Sequence, residues 1–350
     1  MTHHPTPLKF LMPGWFVIVM GLSGLALAWH NATPLLGGLA VAMAHGLGWV
    51  AVGVALVLAV LSLVRWQHHP QAVYEDMGHP VRHVFVAAMP ISLILLATVA
   101  TALTGPSRFA LLIWLLGSAW QFGVTAWALS RWLALPAPAA RAAAGPTATL
   151  PLWPSVTPAL LIPVVGNVLA PLAGVTLGMA PWSAAQFGVG LLLWPVVLAL
   201  MLVRVGVAGV WPARLSPTTF ITVAPPAVVG LGLLQLDAPP LLAWMAWGMA
   251  LFFLVWAARV VRLMLTQPFS MTFWALSFPL AAFSALTLRL AQHAPWPFQA
   301  LALTLLPLVS LLIAALLWAT FQGLRRGSLL MPEPGPALQG PASPVVGVAA

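Results

Sequence analysis

Long apolar stretches separated by short polar breaks run along the chain from Phe10 to about residue 323. Each stretch reaches about 20 residues, the length that crosses a bilayer core as a helix. Transmembrane barrel strands would instead alternate over about 10 residues, so the pattern predicts helices. Ten spans fall at 11–30, 39–64, 82–104, 109–132, 153–178, 183–206, 217–236, 239–264, 270–291 and 298–323. Two breaks are long: an Ala- and Pro-rich connector from Ala134 to Pro151, and a tail from Pro332, both read as flexible. The expected organisation is a cytoplasmic N-terminus over 1–10, one ten-helix transmembrane domain over 11–323, and a cytoplasmic tail over 324–350, disordered from about 332.

The spans alternate in character. Odd-numbered ones carry helix breakers: Pro13 and Gly14, Pro90, Pro163 and Pro171, Pro225 and Pro226, and Pro279. Even-numbered ones offer only Pro195 and Pro307. Ser92, Thr98, Asn167, Thr176, Thr222, Ser277 and Ser284 also sit in odd spans. Proline inside a helix removes a hydrogen bond and kinks the chain. In lipid the freed group is most easily satisfied beside another helix or a water-filled cavity. The simplest architecture is therefore five helical hairpins, odd helices inside and even helices outside, in a quasi-fivefold ring around a central pore.

Composition fixes the solvent. Of 350 residues, 62% are hydrophobic and 5% charged, against about 25% charged in soluble domains. The surface must face mostly lipid. The net charge of +9 does not point to nucleic acid, because the cations stand singly between apolar runs. They report topology instead. Lys9, Arg65, Arg82, Arg131, Arg141, Arg204, Arg214, Arg259, Arg262, Arg325 and Arg326 fall on one side, and Arg108 and Arg289 on the other. That bias puts both termini in the cytoplasm. The Ala- and Pro-rich, lysine-poor composition fits a bacterial inner membrane. The first apolar run lacks a convincing cleavage site and is kept as a span.

Cation transport normally needs intramembrane acids, but Glu75 and Asp76 fall in a cytoplasmic loop, Asp237 in an external loop and Glu333 in the tail. A neutral interior flanked by arginines suits anions, which it would hold weakly enough to release. Backbone N–H groups freed at kinks could assist. Arg82 and Arg262, beside odd spans, are the candidate pore-mouth residues. Candidate pore-lining residues are Gly21, Gly24, Pro90, Pro163, Asn167, Pro225, Ser277 and Pro279. His68, His69, His79 and His83 match no zinc spacing, and the chain has no cysteine, so neither a metal nor a cofactor is expected. Asn167, Gln121, Gln186 and Gln292 read as hydrogen bonders between helices, and Gly174 and Gly178 as a small-xxx-small pair. No phosphate loop, nucleophile elbow or carboxylate pair supports an enzyme.

Three stretches carry a resemblance. Gly14-Trp15-Phe16 with Met20-Gly21 and Leu25-Ala26-Leu27-Ala28-Trp29 resembles the first helix of the tellurite-resistance/dicarboxylate transporter (TDT) family, which includes TehA-like proteins and the slow anion channels (SLAC) of plant guard cells. His79-Pro80-Val81-Arg82, leading into Ala87-Ala88-Met89-Pro90, is similar to the approach to its third helix. Trp274-Ala275-Leu276-Ser277-Phe278-Pro279 is similar to its ninth-helix motif. The resemblance implies five hairpins around a pore in each subunit of a homotrimer, with Phe278 as the gating phenylalanine. The leading expectation is an anion channel or channel-like exporter. The alternative is a secondary carrier for C4-dicarboxylates such as malate, for sulfite or for tellurite-related anions.

Overall fold

The structure, a computed structural model, describes residues 7–131 and 155–331. The 134–151 connector, Arg141, Glu333 and the expected disordered tail lie outside the described residues. Among those described, the regular elements are helical, and nine helices are long and apolar enough to cross a membrane. The principal α-helices are α1 (Val17–Asn31), α2 (Gly38–His68), α3 (Ala88–Thr104), α4 (Arg108–Ser130) and α5 (Leu161–Val168). They continue with α6 (Ala180–Ala208), α7 (Ala224–Gln235), α8 (Pro240–Ala258), α9 (Ser277–Ala291) and α10 (Trp296–Arg325).

The fifth segment departs from the expected 153–178 span. It is a shorter apolar helix over Pro158–Gly174, broken into a 3₁₀ turn, α5 and the turn Pro171–Gly174. Pro171, at the start of the last piece, lacks the amide proton that would carry α5 onward.

Burial separates two layers. Over an 18-residue apolar stretch of the spans containing α1, α3, α7 and α9, 83%, 67%, 83% and 72% of the residues are buried. The corresponding shares for α2, α4, α6, α8 and α10 are 17%, 39%, 22%, 28% and 28%. Trp49, Trp66, Phe109, Leu192 and Trp296 stand exposed on the outer helices, as a lipid-facing surface requires. Each odd helix packs against the even helix that follows it. The odd helices also touch one another in order, α1 to α3, α3 to α5, α5 to α7, α7 to α9, and α9 back to α1.

All five inner segments share a local design that sequence periodicity does not show. A 3₁₀ stretch precedes each α-helix: Pro13–Phe16, Arg82–Ala87, Pro158–Leu160, Ala213–Val223 and Met271–Leu276. At each handover the first α residue gives its N–H to the carbonyl three residues back: Val17 to Gly14, Ala88 to Phe85, Leu161 to Pro158, Ala224 to Ile221 and Ser277 to Trp274. Pro90, Pro163, Pro225, Pro226 and Pro279 all lie in the first turn of the α-helix that follows. There the missing proton disrupts least. These prolines thus mark 3₁₀-to-α junctions rather than kinks inside α-helices, and the junction amides are bonded, not freed. Prolines inside α-helices occur in the outer layer, at Pro195 and Pro307.

Close approach relies on glycine. A Cβ on Gly174 would lie 2.1 Å from the Ser183 hydroxyl and 2.3 Å from the Trp114 ring, whereas Gly178 has φ +80 and open space around it. The expected small-residue pair is therefore one packing glycine and one turn glycine.

Candidate functional site

Where the N-terminal ends of the inner segments meet, they enclose a cavity of about 660 Å³. All five contribute wall residues, among them Trp15, Phe85, Ile162, Ile221, Trp274 and Phe278. Behind Phe278 lies a second void of about 20 Å³, bounded by Gly24, Leu95, Leu172, Leu231 and Ala282, again from all five segments. That space holds about one water. Phe278 is the residue common to both walls. It is the second residue of α9 and is 95% buried, with 5% relative exposure.

The backbone of α1 sets the ring's position. A Cβ on Gly24 would meet the Phe278 ring at 3.1 Å and the Ala281 Cβ at 3.1 Å. One turn earlier, a Cβ on Gly21 would meet the Ser277 hydroxyl at 2.4 Å. The two glycines let α1 and α9 come together along the face that carries Phe278. Ser277 turns its hydroxyl to the Trp274 carbonyl at 2.7 Å, and the Trp274 indole N–H donates to Thr320 on α10 at 2.8 Å. Phe278 is thus held from α1, from its own 3₁₀ turn, and through Trp274 from α10.

The sequence candidates divide on this geometry. Phe278, Pro279 and Arg82 border the cavity, and Gly24 borders the small void. Gly21, Pro90, Pro163, Asn167, Pro225 and Ser277 are not among the residues lining either space. Asn167 faces the outer layer instead. Its amide nitrogen donates to Thr125 at 2.7 Å and to the Pro163 carbonyl at 2.9 Å, and its oxygen accepts from Gln186 at 3.2 Å. Gln121 and Thr125 also donate to the Pro163 carbonyl, each at 2.8 Å. This network secures the broken fifth segment to α4 and α6, which is how polar groups in a membrane are satisfied. Arg262 is exposed in the short helix Val261–Leu265 and does not border the cavity.

Arg82 is held in place. Its guanidinium donates to Asp76 at 2.9 Å, and Arg65 grips the other carboxylate oxygen at 2.7 Å. Asp76 belongs to a short helix, Pro70–Gly78, within what the sequence presents as a loop. Arg65 also donates to the backbone carbonyls of Lys9 and Ala72. Two cations on one carboxylate leave a net positive charge beside the cavity. His79 caps the turn that carries Arg82, its Nδ1 accepting from the amides of Val81 and Arg82, both at 3.1 Å. His83 bonds through Nδ1 to the His79 carbonyl at 2.9 Å and meets Trp127 edge-on.

Two further cavity arginines, Arg214 and Arg326, are absent from the sequence candidates. Arg214 precedes the seventh segment as Arg82 precedes the third, so the rule that singles out Arg82 would also have found it. Arg326 follows an outer helix and has no such signal. Among the described residues, no Asp or Glu borders the cavity.

Fold and site together define a multi-pass helical membrane protein with a cationic chamber that Phe278 separates from a small apolar void. Residues 11–321 match the SLAC1 family of voltage-dependent anion channels, and the chain belongs to that family. It is 23% identical over 250 residues to the S-type anion channel SLAH2 of Arabidopsis thaliana, a match covering 71% of this chain and 46% of the plant protein. The chain thus spans about half the length of that relative. It is 24% identical over 307 residues to the uncharacterized transporter MJ0576 of Methanocaldococcus jannaschii, covering 79% of this chain and 83% of the relative. These relationships place the protein among channels and transporters rather than enzymes.

Proposed function

We propose that this chain is an anion channel or channel-like exporter that conducts small anions along the axis of the five inner segments, with Phe278 as the gate. The observation that carries the reading is the position of Phe278 as the shared wall between the 660 Å³ cavity and the 20 Å³ void. An aromatic ring in a narrow neutral passage closes it by volume and by dewetting. Pro279 and Gly24 border the same path, and Arg82 stands at its mouth. The charge bias supports a cytoplasmic position for the cavity, with both termini on that side and the protein in the inner membrane. Family resemblance supports a homotrimer in which each subunit carries its own path.

A second reading is a carrier for C4-dicarboxylates, sulfite or tellurite-related anions. A cavity open at one end and closed at Phe278 is also what an alternating-access carrier presents in one state. Flux from liposomes loaded with chloride, nitrate, sulfite or malate separates the two. A channel gives non-saturating flux without exchange; a carrier gives saturation and counter-flow. Absence of anion flux from correctly inserted protein overturns both.

A further inference from the structure

The cavity is far larger than a small inorganic anion needs, and its chemistry is divided. Its volume of about 660 Å³ falls in the range of pockets for drug-sized molecules, about 300–1,000 Å³. Trp15, Phe85, Ile221, Trp274 and Phe278 supply apolar and aromatic wall. Arg214 and Arg326 also border it and are solvent-exposed, while Arg82 is half-buried and anchored to Asp76. A chloride ion would satisfy the arginines and leave the aromatic surface wet. The complementary ligand carries one anionic group and a flat apolar body.

We propose that the cavity is a binding site for a soluble organic anion of that kind, an aryl sulfonate or aryl carboxylate. The anionic head pairs with Arg214 and Arg326, and the rings lie against the aromatic wall. Guanidinium groups pair well with planar and oxyanion acceptors, and aromatic faces pack favourably on one another. Such a ligand is too large for the 20 Å³ void behind Phe278. It lodges in the chamber and obstructs smaller anions; this consequence, unlike the binding itself, rests on reading the chamber as the pore mouth.

The test is calorimetric titration of the full chain in lipid nanodiscs with naphthalene-1-sulfonate, benzenesulfonate and methanesulfonate, with empty nanodiscs subtracting lipid partition. Naphthalene-1-sulfonate should bind about tenfold more tightly than benzenesulfonate, from the area of the added ring, and methanesulfonate most weakly. The double variant Arg214→Gln/Arg326→Gln should weaken naphthalene-1-sulfonate by about tenfold or more, and Arg214→Lys/Arg326→Lys should recover part of the loss. Heat matching empty discs, equal affinity for methanesulfonate, or an unchanged double variant overturns the site. In parallel, naphthalene-1-sulfonate on the arginine side should slow nitrate efflux from liposomes at the concentration where it binds. Binding without slowing leaves the site standing and overturns the pore reading.

Discussion

Gly21→Ala offers a quantitative test of how α1 and α9 are joined. The new Cβ would lie 2.4 Å from the Ser277 hydroxyl, 2.7 Å from the Ser277 Cβ and 3.3 Å from the Trp274 ring. Carbon atoms prefer separations of about 3.5–4.0 Å, so the helices must part by about 1 Å. Overpacking of this kind costs about 1–3 kcal/mol. Ser277→Gly alone should also destabilise. It removes the 2.7 Å bond to the Trp274 carbonyl and places glycine in a helix, at about 1 kcal/mol. The double variant, however, loses both clashing atoms and should be more stable than the sum of the single changes by about 1 kcal/mol. Denaturant titration in mixed micelles, run as a double-mutant cycle, measures that coupling. Strict additivity would mean that Gly21 and Ser277 do not face each other, and that the close approach of α1 is not what seats Phe278.

Other outcomes follow from named contacts. Gly24→Ala should press on the Phe278 ring, which must yield by a few tenths of an ångström, and change anion flux more than it changes stability; the reverse order would detach Gly24 from the gate. Asp76→Asn should destabilise by about 3–5 kcal/mol, because it strands buried Arg65 without its carboxylate; unfolding titrations check this. Asn167→Ala should cost about 1–2 kcal/mol through three lost hydrogen bonds and leave the ratio of nitrate to chloride flux unchanged; an altered ratio would place Asn167 on the anion path. Arg82→Gln should reduce flux most at low ionic strength, where screening is weakest, whereas Arg262→Gln, away from the cavity, should not.

The layered architecture was legible in the sequence because lipid leaves a compositional trace. Prolines and hydroxyls in alternate segments identified the inner helices, and continuous apolar runs identified the outer ones. What those prolines do was not legible. Pro90, Pro163, Pro226 and Pro279 each stand third in an α-helix, and the 3₁₀ stretch before them supplies the carbonyl that takes up the first α-helical amide. Spacing alone could not locate the handover, since both helix types accept the same residues. Asn167 carried two readings, pore-lining and interhelical, for a related reason. A polar side chain in an inner span can face the axis or an outer neighbour, and its partners Thr125 and Gln186 lie on different helices. Arg326 was invisible because it reaches the cavity from the end of an outer helix.

The most direct measurement is anion current through Phe278→Ala in a planar bilayer, with the amount of inserted protein matched to wild type. Truncation joins the 660 Å³ chamber to the void behind it, so conductance should rise several-fold with anion selectivity retained. A current no larger than wild type would show that the ring is packing rather than a closure, and that ions, if they cross, take another route.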